Sequence, residues 1–220
     1  MKFPTFAAAA LIILSSQPAK ADNWPGLRGP DHNGSSSETG LPTKFSQTEN
    51  VKWVVDLPGP SGSTPAIWGD HVFVSSADPA SKKLHAMCFD RISGKLLWDQ
   101  QVADGFKQDD RSNLAGPSPA TDGERVYFFY GTSDLVAFDF SGKQLWRRNI
   151  QKDYGSFAFL WTFSTSPMVH DGILYMQVLQ RDVPVRGRGL ADRKNESYIL
   201  AMDPQTGKTL WRTIRDCQAV

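Results

Sequence analysis

The chain has 220 residues, 40% hydrophobic and 21% charged, with 18 Gly, 14 Pro and 13 Phe. That is ordinary globular composition, and it excludes wholesale disorder, a collagen-like chain and a coiled coil. Lys and Arg number 24 against 23 Asp and Glu, which removes the basic footprint of a nucleic-acid binder, and two cysteines, Cys88 and Cys217, are too few for a disulfide scaffold or a structural zinc site.

Residues 1–21 read as a secretory signal. Lys2 gives a positive start, Phe3 to Leu14 is almost wholly apolar, and Ala19-Lys20-Ala21 supplies a small-x-small cleavage site before Asp22. The apolar run is short for a bilayer span; a buried N-terminal helix is the alternative. No cysteine lies near the cleavage site and no twin arginine precedes the run, which argues against a lipid anchor and against export in the folded state. Without Lys2 and Lys20 the chain carries 22 basic and 23 acidic groups. The expectation is an exported protein, periplasmic or extracellular, not lipid-anchored, with no further membrane span and no nucleic-acid partner.

From residue 22 onward the chain repeats. Trp53, Trp98, Trp146 and Trp211 close similar segments at spacings of 45, 48 and 65 residues. The last three segments read "CFDRISGKLLW" (88–98), "AFDFSGKQLW" (137–146) and "AMDPQTGKTLW" (201–211). An upstream anchor recurs as "STPAIWGD" (63–70), "PSPATDG" (117–123) and "TSPMVHDG" (165–172). The spacing of 65 contains 16 extra residues between the anchor and Ser197, which marks an insertion within residues 181–196.

Each unit reads as four short strands. Ser/Thr-Pro opens the first, since proline is tolerated at a strand start or edge. A Gly-Asp or Asp-Gly turn leads to a β-rich run ("HVFVSS", "RVYFFYG", "ILYMQVL"). The third strand ends at the Asp of the motif, Ser/Thr-Gly-Lys turns the chain, and the fourth strand carries the Trp. Tandem four-stranded units of this length describe an all-β fold, a β-propeller, with a β-sandwich as the alternative. The expected layout is an N-terminal segment over 22–62, then blades over 63–104, 117–150 and 165–215. About three blades make an incomplete ring, with an orphan fourth-type strand around Trp53. Such a layout leaves outer blade faces without a neighbour and predicts self-association through them.

The Ala-x-Asp-x-x-x-Gly-Lys-x-x-Trp pattern resembles the tryptophan-docking motif of pyrroloquinoline-quinone-type (PQQ-like) propeller repeats. Residues 201–211 match it fully, 88–98 match with Cys88 in place of Ala, and 137–146 match with one residue fewer in the turn. "WPGLRGP" (24–30) followed by "NVKWVVDLPG" (50–59) is similar to the opening of exported bacterial members. The resemblance implies that each Trp packs on the next blade while Asp and Gly-Lys shape the turn. That gives Asp90, Gly94, Trp98, Asp139, Gly142, Trp146, Asp203, Gly207 and Trp211 structural roles.

In a four-stranded blade the first-to-second and third-to-fourth turns share one end, and the remaining connections gather at the other. The long ones are 100–117, 151–165 and 181–196, and long loops on a rigid scaffold are natural binding sites. Arg181, Arg186 and Arg188 suit an anionic group; a solvated charged loop is the alternative. Tyr154 and Trp161, with Phe157, Phe159 and Phe163, can stack on a flat ligand or pack between blades.

No catalytic set emerges. His32, His71, His85 and His170 lack metal-ligand spacing, and no nucleophile elbow or phosphate loop occurs. "DQQVADGFKQDD" (99–110) lacks the ladder of a calcium loop. A Cys88–Cys217 disulfide competes with Cys88 as a free core thiol. Two readings follow. The preferred one is a non-catalytic scaffold that binds an unidentified protein or small molecule, with no cofactor. The other is part of a quinoprotein alcohol or sugar dehydrogenase using PQQ and calcium, which the resemblance associates with adjacent cysteines and acidic and amide calcium ligands.

Overall fold

The computed structural model describes residues 22–110 and 112–217. The signal-peptide reading, with Ala19 and Ala21, lies outside the described residues. Three four-stranded antiparallel sheets follow one another along the chain. The first pairs β1 (Ala66–Trp68), β2 (His71–Asp78), β3 (Lys83–Asp90) and β4 (Leu96–Asp104) in chain order. The second pairs β5 (Ala120–Thr121), β6 (Arg125–Phe129), β7 (Asp134–Asp139) and β8 (Gln144–Asn149). A single-turn helix, α1 (Ile150–Tyr154), follows, too short to leave a 3.6-residue period in the sequence. The third sheet pairs β9 (Met168–His170), β10 (Ile173–Val178), β11 (Ser197–Met202) and β12 (Thr209–Arg215). These sheets are propeller blades 1, 2 and 3, and together they do not close a ring.

Burial along the strands reports which faces have neighbours. Blade 2 stands between the others, and β6 and β7 are buried on both faces rather than alternating. In β10 the period is two: Leu174, Met176 and Val178 face blade 2, while Ile173, Tyr175 and Gln177 remain half-buried. Blade 3 is therefore packed on one side. Between blades 1 and 2 the core includes Phe73, Cys88, Trp98, Phe128 and Phe138. Between blades 2 and 3 it includes Tyr127, Phe129, Leu174, Met176 and Leu200.

The repeat motif works by reaching into the following blade. The small residue sits opposite the Trp across the third and fourth strands: Cys88 faces Trp98, Ala137 faces Trp146, Ala201 faces Trp211. In each blade the register slips just after that pair, a bulge that twists the strand locally. The indole N–H of Trp98 donates to the Phe140 carbonyl and that of Trp146 to the Pro204 carbonyl, both at 2.9 Å, in the next blade's turn. Each ring lies on that turn's glycine, Trp98 on Gly142 and Trp146 on Gly207. Gly142 and Gly207 have φ of +85° and +68°, and a Cβ on either would fall within 2.7 Å of the indole. Glycine is required twice over, by the turn and by the ring.

The motif aspartates close the same turns. Asp90 Oδ1 accepts from the Ser93 amide and hydroxyl, Asp139 Oδ1 from those of Ser141, and Asp203 Oδ1 from the Gln205 and Thr206 amides. The Ser93 hydroxyl bond holds Asp90 below the usual carboxylate range, and the Ser141 hydroxyl does the same for Asp139.

Residues 51–56, expected as an orphan strand, form no strand. Each of the three sheets takes its four strands from its own repeat unit, and residues 51–56 pair with none of them. Their tryptophan docks all the same: Trp53 Nε1 donates to the Arg91 carbonyl at 2.9 Å and its ring covers Gly94, just as one blade serves the next. With Leu57 and Ile67 it caps the face of blade 1 formed by Val72, Val74, Met87 and Phe89. The two cysteines are not bonded: Cys88 is buried between blades 1 and 2, and Cys217 follows β12.

Candidate functional site

Antiparallel order places the loops after β2, β4, β6, β8 and β10 at one end of the blades, and the tight turns at the other. The inner strands β1, β5 and β9 touch in succession, and the Ser/Thr-Pro anchors begin them. Proline confines its predecessor to extended backbone, which turns that residue's N–H toward the neighbouring blade. Thr64 N donates to Ser118 Oγ at 2.8 Å, and Ser118 N donates to Ser166 Oγ at 2.9 Å. A ladder of hydroxyls thus ties the blades together along the inner wall. The segment after Asp22 crosses this wall: Trp24 exchanges two backbone hydrogen bonds with Ile67, and the Pro25 carbonyl accepts from Thr121 N.

Beside the ladder lies a polar cleft of about 520 Å³ that includes Asp109, Asp110 and Asn113. Its oxygens are largely committed to the protein. Asp109 Oδ1 accepts from Ser112 N, Asp109 Oδ2 accepts from both Thr162 N and Thr162 Oγ1, and Asn113 Oδ1 accepts from Ala115 N. Among the described residues no group of three or more His, Cys, Asp or Glu can hold a metal ion. Cys88 and Cys217 stand in different blades.

The long-loop end carries a second cleft, of about 310 Å³, where the loop after β8 meets the insertion. Phe157 and Phe163 form its buried floor, with ring centroids 4.6 Å apart. Phe159 stands edge-on to Phe163 at 5.4 Å, and Trp161 edge-on to Phe159 at 6.1 Å. Arg188 reaches from the insertion, and its Nη1 donates to the carbonyls of Phe159 and Trp161 at 3.0 and 3.1 Å. Lys107 and Gln151 are among the other lining residues.

The insertion is built rather than merely solvated. Asn195 is 1% exposed; its Oδ1 accepts from Leu190 N, and its Nδ2 donates to the carbonyls of Asp182 and Leu190. Gln180, also buried, accepts from Ala158 N and donates to the Glu196 carbonyl.

Of the five residues expected to share a binding face, Trp161 and Arg188 come together in this cleft. Arg181 and exposed Arg186 line neither it nor its neighbour, and Tyr154 belongs to a separate pocket with Tyr198 and Arg212. Lys107 lies on the loop after β4 and Gln151 in α1, and neither carries a motif that would single it out in the sequence.

Residues 36–183 match the PQQ-like repeat family described as outer membrane protein assembly factor BamB. The chain belongs to this family. Over 173 residues it is 27% identical to the polyvinylalcohol dehydrogenase of a Pseudomonas species, an alignment that covers 74% of this chain and 24% of that protein. It thus spans about a quarter of the length of that curated relative. Similar solved structures include the quinohemoprotein alcohol dehydrogenase of Comamonas testosteroni (19% identity, TM-score 0.47, covering 71% of this chain and 21% of that one). Another is BamB of Moraxella catarrhalis (22% identity, TM-score 0.41, covering 74% and 51%). Among the described residues, no helix of this family member is long and apolar enough to cross a membrane.

Proposed function

We propose that the chain is an exported, non-catalytic binding or assembly scaffold that engages its partner with the long-loop end of its blades. The observation that carries this reading is the aromatic cleft of Phe159, Trp161 and Arg188. It joins flat rings, a guanidinium and a lysine at the end where the fold gathers its longest connections, on blades fixed by docked tryptophans. Such a surface suits a partner that presents an aromatic or aliphatic side chain beside an acidic one. Membership of a family described by an assembly factor supports the reading.

Photocrosslinking tests it. A benzoylphenylalanine at Val183 (61% exposed, in the insertion) is compared with one at Ile92 (56% exposed, in the β3–β4 turn) in the native cell envelope. A discrete adduct from Val183 that is lost with Trp161→Ala, and none from Ile92, is the expected result. Adducts from Ile92 alone, or from neither position, overturn it.

A second reading, part of a quinoprotein dehydrogenase, is favoured by the 27% identity to the Pseudomonas enzyme.

A further inference from the structure

The inner strands repeat one edge position three times. Ile67 in β1, Thr121 in β5 and Val169 in β9 each stand two residues after the proline of their Ser/Thr-Pro anchor. Strand register fixes what the backbone of this residue can do. His170 and Ile173 flank the two-residue turn of Asp171 and Gly172, whose φ angles are +47° and +71°. Residues that flank such a turn exchange hydrogen bonds, so the next pair, Val169 with Leu174, is a non-bonded one. The N–H and C=O of Val169 therefore point away from β10, to the free edge of the sheet. Ile67, opposite Val72 and one pair beyond Trp68 and His71, is placed alike.

What fills this edge differs from blade to blade. Ile67 exchanges both its bonds with Trp24 at 2.8 Å, and Thr121 N donates to the Pro25 carbonyl at 2.8 Å. The segment then turns off the wall: Gly29 N donates to the Gly26 carbonyl, and the Trp24 ring lies on Gly29. It stops short of Val169, and among the described residues no backbone pairs with that edge of β9. In the gap lies a cavity of about 270 Å³ whose lining includes Leu27, Arg28, Ala120, Pro167, Met168 and Val169. Leu27 and Met168 are 46% and 39% exposed there. Arg28 Nη2 donates to the Asn33 carbonyl at 3.2 Å, and among the described residues this guanidinium has no carboxylate partner. The cavity shares no lining residue with the aromatic cleft.

We infer that β9 accepts an extended segment of a partner protein at Val169, which continues the pairing that Trp24 and Pro25 begin. One apolar side chain of that segment enters the cavity against Leu27 and Met168, and an acidic one beside it meets Arg28. Strand addition draws its affinity from main-chain bonds and its specificity from pockets for side chains, and this edge offers both. The site is distinct from the aromatic cleft and stands whether or not that cleft binds a partner.

Heptapeptides displayed on phage are selected on the immobilised full chain; the enriched sequence is then synthesised with blocked ends and titrated while backbone amide shifts are followed. The enriched peptide should carry an apolar residue beside Asp or Glu and give saturable shifts at the Leu27 and Val169 amides. Single N-methylation along its backbone removes donors without touching side chains, and in at least one position it should weaken binding about tenfold. Leu27→Asp, at an exposed position, should abolish binding with the urea midpoint unchanged, and Arg28→Gln should remove the preference for the acidic residue. Enrichment no greater than on the bare support overturns the inference. So do shifts confined to other amides, those of the aromatic cleft included, or affinity indifferent to N-methylation at every position.

Discussion

Gly142→Ala isolates the contact by which one blade grips the next. At φ +85° an alanine stands in the left-handed region, a strain of about 1–2 kcal/mol. Its Cβ would also lie 2.7 Å from Trp98 Cγ and 2.9 Å from Cδ2. The indole cannot retreat, because Phe73, Phe128 and Phe138 surround it with ring centroids 5.6 to 6.3 Å away. Overpacking of this kind costs a further ~1–3 kcal/mol. Gly172→Ala is the control: its φ is +71°, yet a Cβ there meets nothing within 4 Å, so it carries the strain alone. Both variants are unfolded in urea and followed by tryptophan fluorescence. Gly142→Ala should lose about 1–3 kcal/mol more than Gly172→Ala, and the excess should vanish in a Trp98→Ala background. Equal losses, within about 0.5 kcal/mol, refute the docking argument.

Three further outcomes follow from the same geometry. Trp98→Ala should cost about 3–5 kcal/mol, whereas Trp211→Ala, at a residue 43% exposed with no turn to cover, should cost under about 1 kcal/mol on the same urea assay. Asp90 and Asp139 titrate lower in the folded chain than the ordinary 3.8, so the unfolded chain takes up protons first as pH falls. Stability should hold above that range, decline as pH drops through it toward the folded values, and lose this acid step in Asp90→Asn/Asp139→Asn, as midpoints at stepped pH will show. Burial pushes the Cys88 thiol up to about 12, so iodoacetamide at pH 8 should add one label to the native chain, at Cys217, and two after unfolding, read by intact mass.

The blades were legible because their determinants are local and repeated. A small residue opposite a tryptophan, an aspartate that closes a turn and a glycine that accepts a ring recur at fixed spacing, so three copies outvote any one ambiguous stretch. Residues 51–56 misled for the opposite reason. Val51, Val54 and Val55 favour extended backbone, but a strand is a property of two partners and only Trp53 found one. The insertion's length was readable from its excess over the sister unit. Its order was not, since buried Asn195 and Gln180 look like any polar loop residues until the carbonyls they serve are in place. Tyr198 likewise reads as an ordinary strand tyrosine; only the fold shows that its ring is covered and its hydroxyl unmet.

The most direct test of a scaffold against a catalyst is dye reduction by the purified chain supplied with pyrroloquinoline quinone, calcium chloride and either a primary alcohol or polyvinyl alcohol. The account predicts no reduction above the protein-free control. Turnover that requires protein, quinone and calcium together would contradict it.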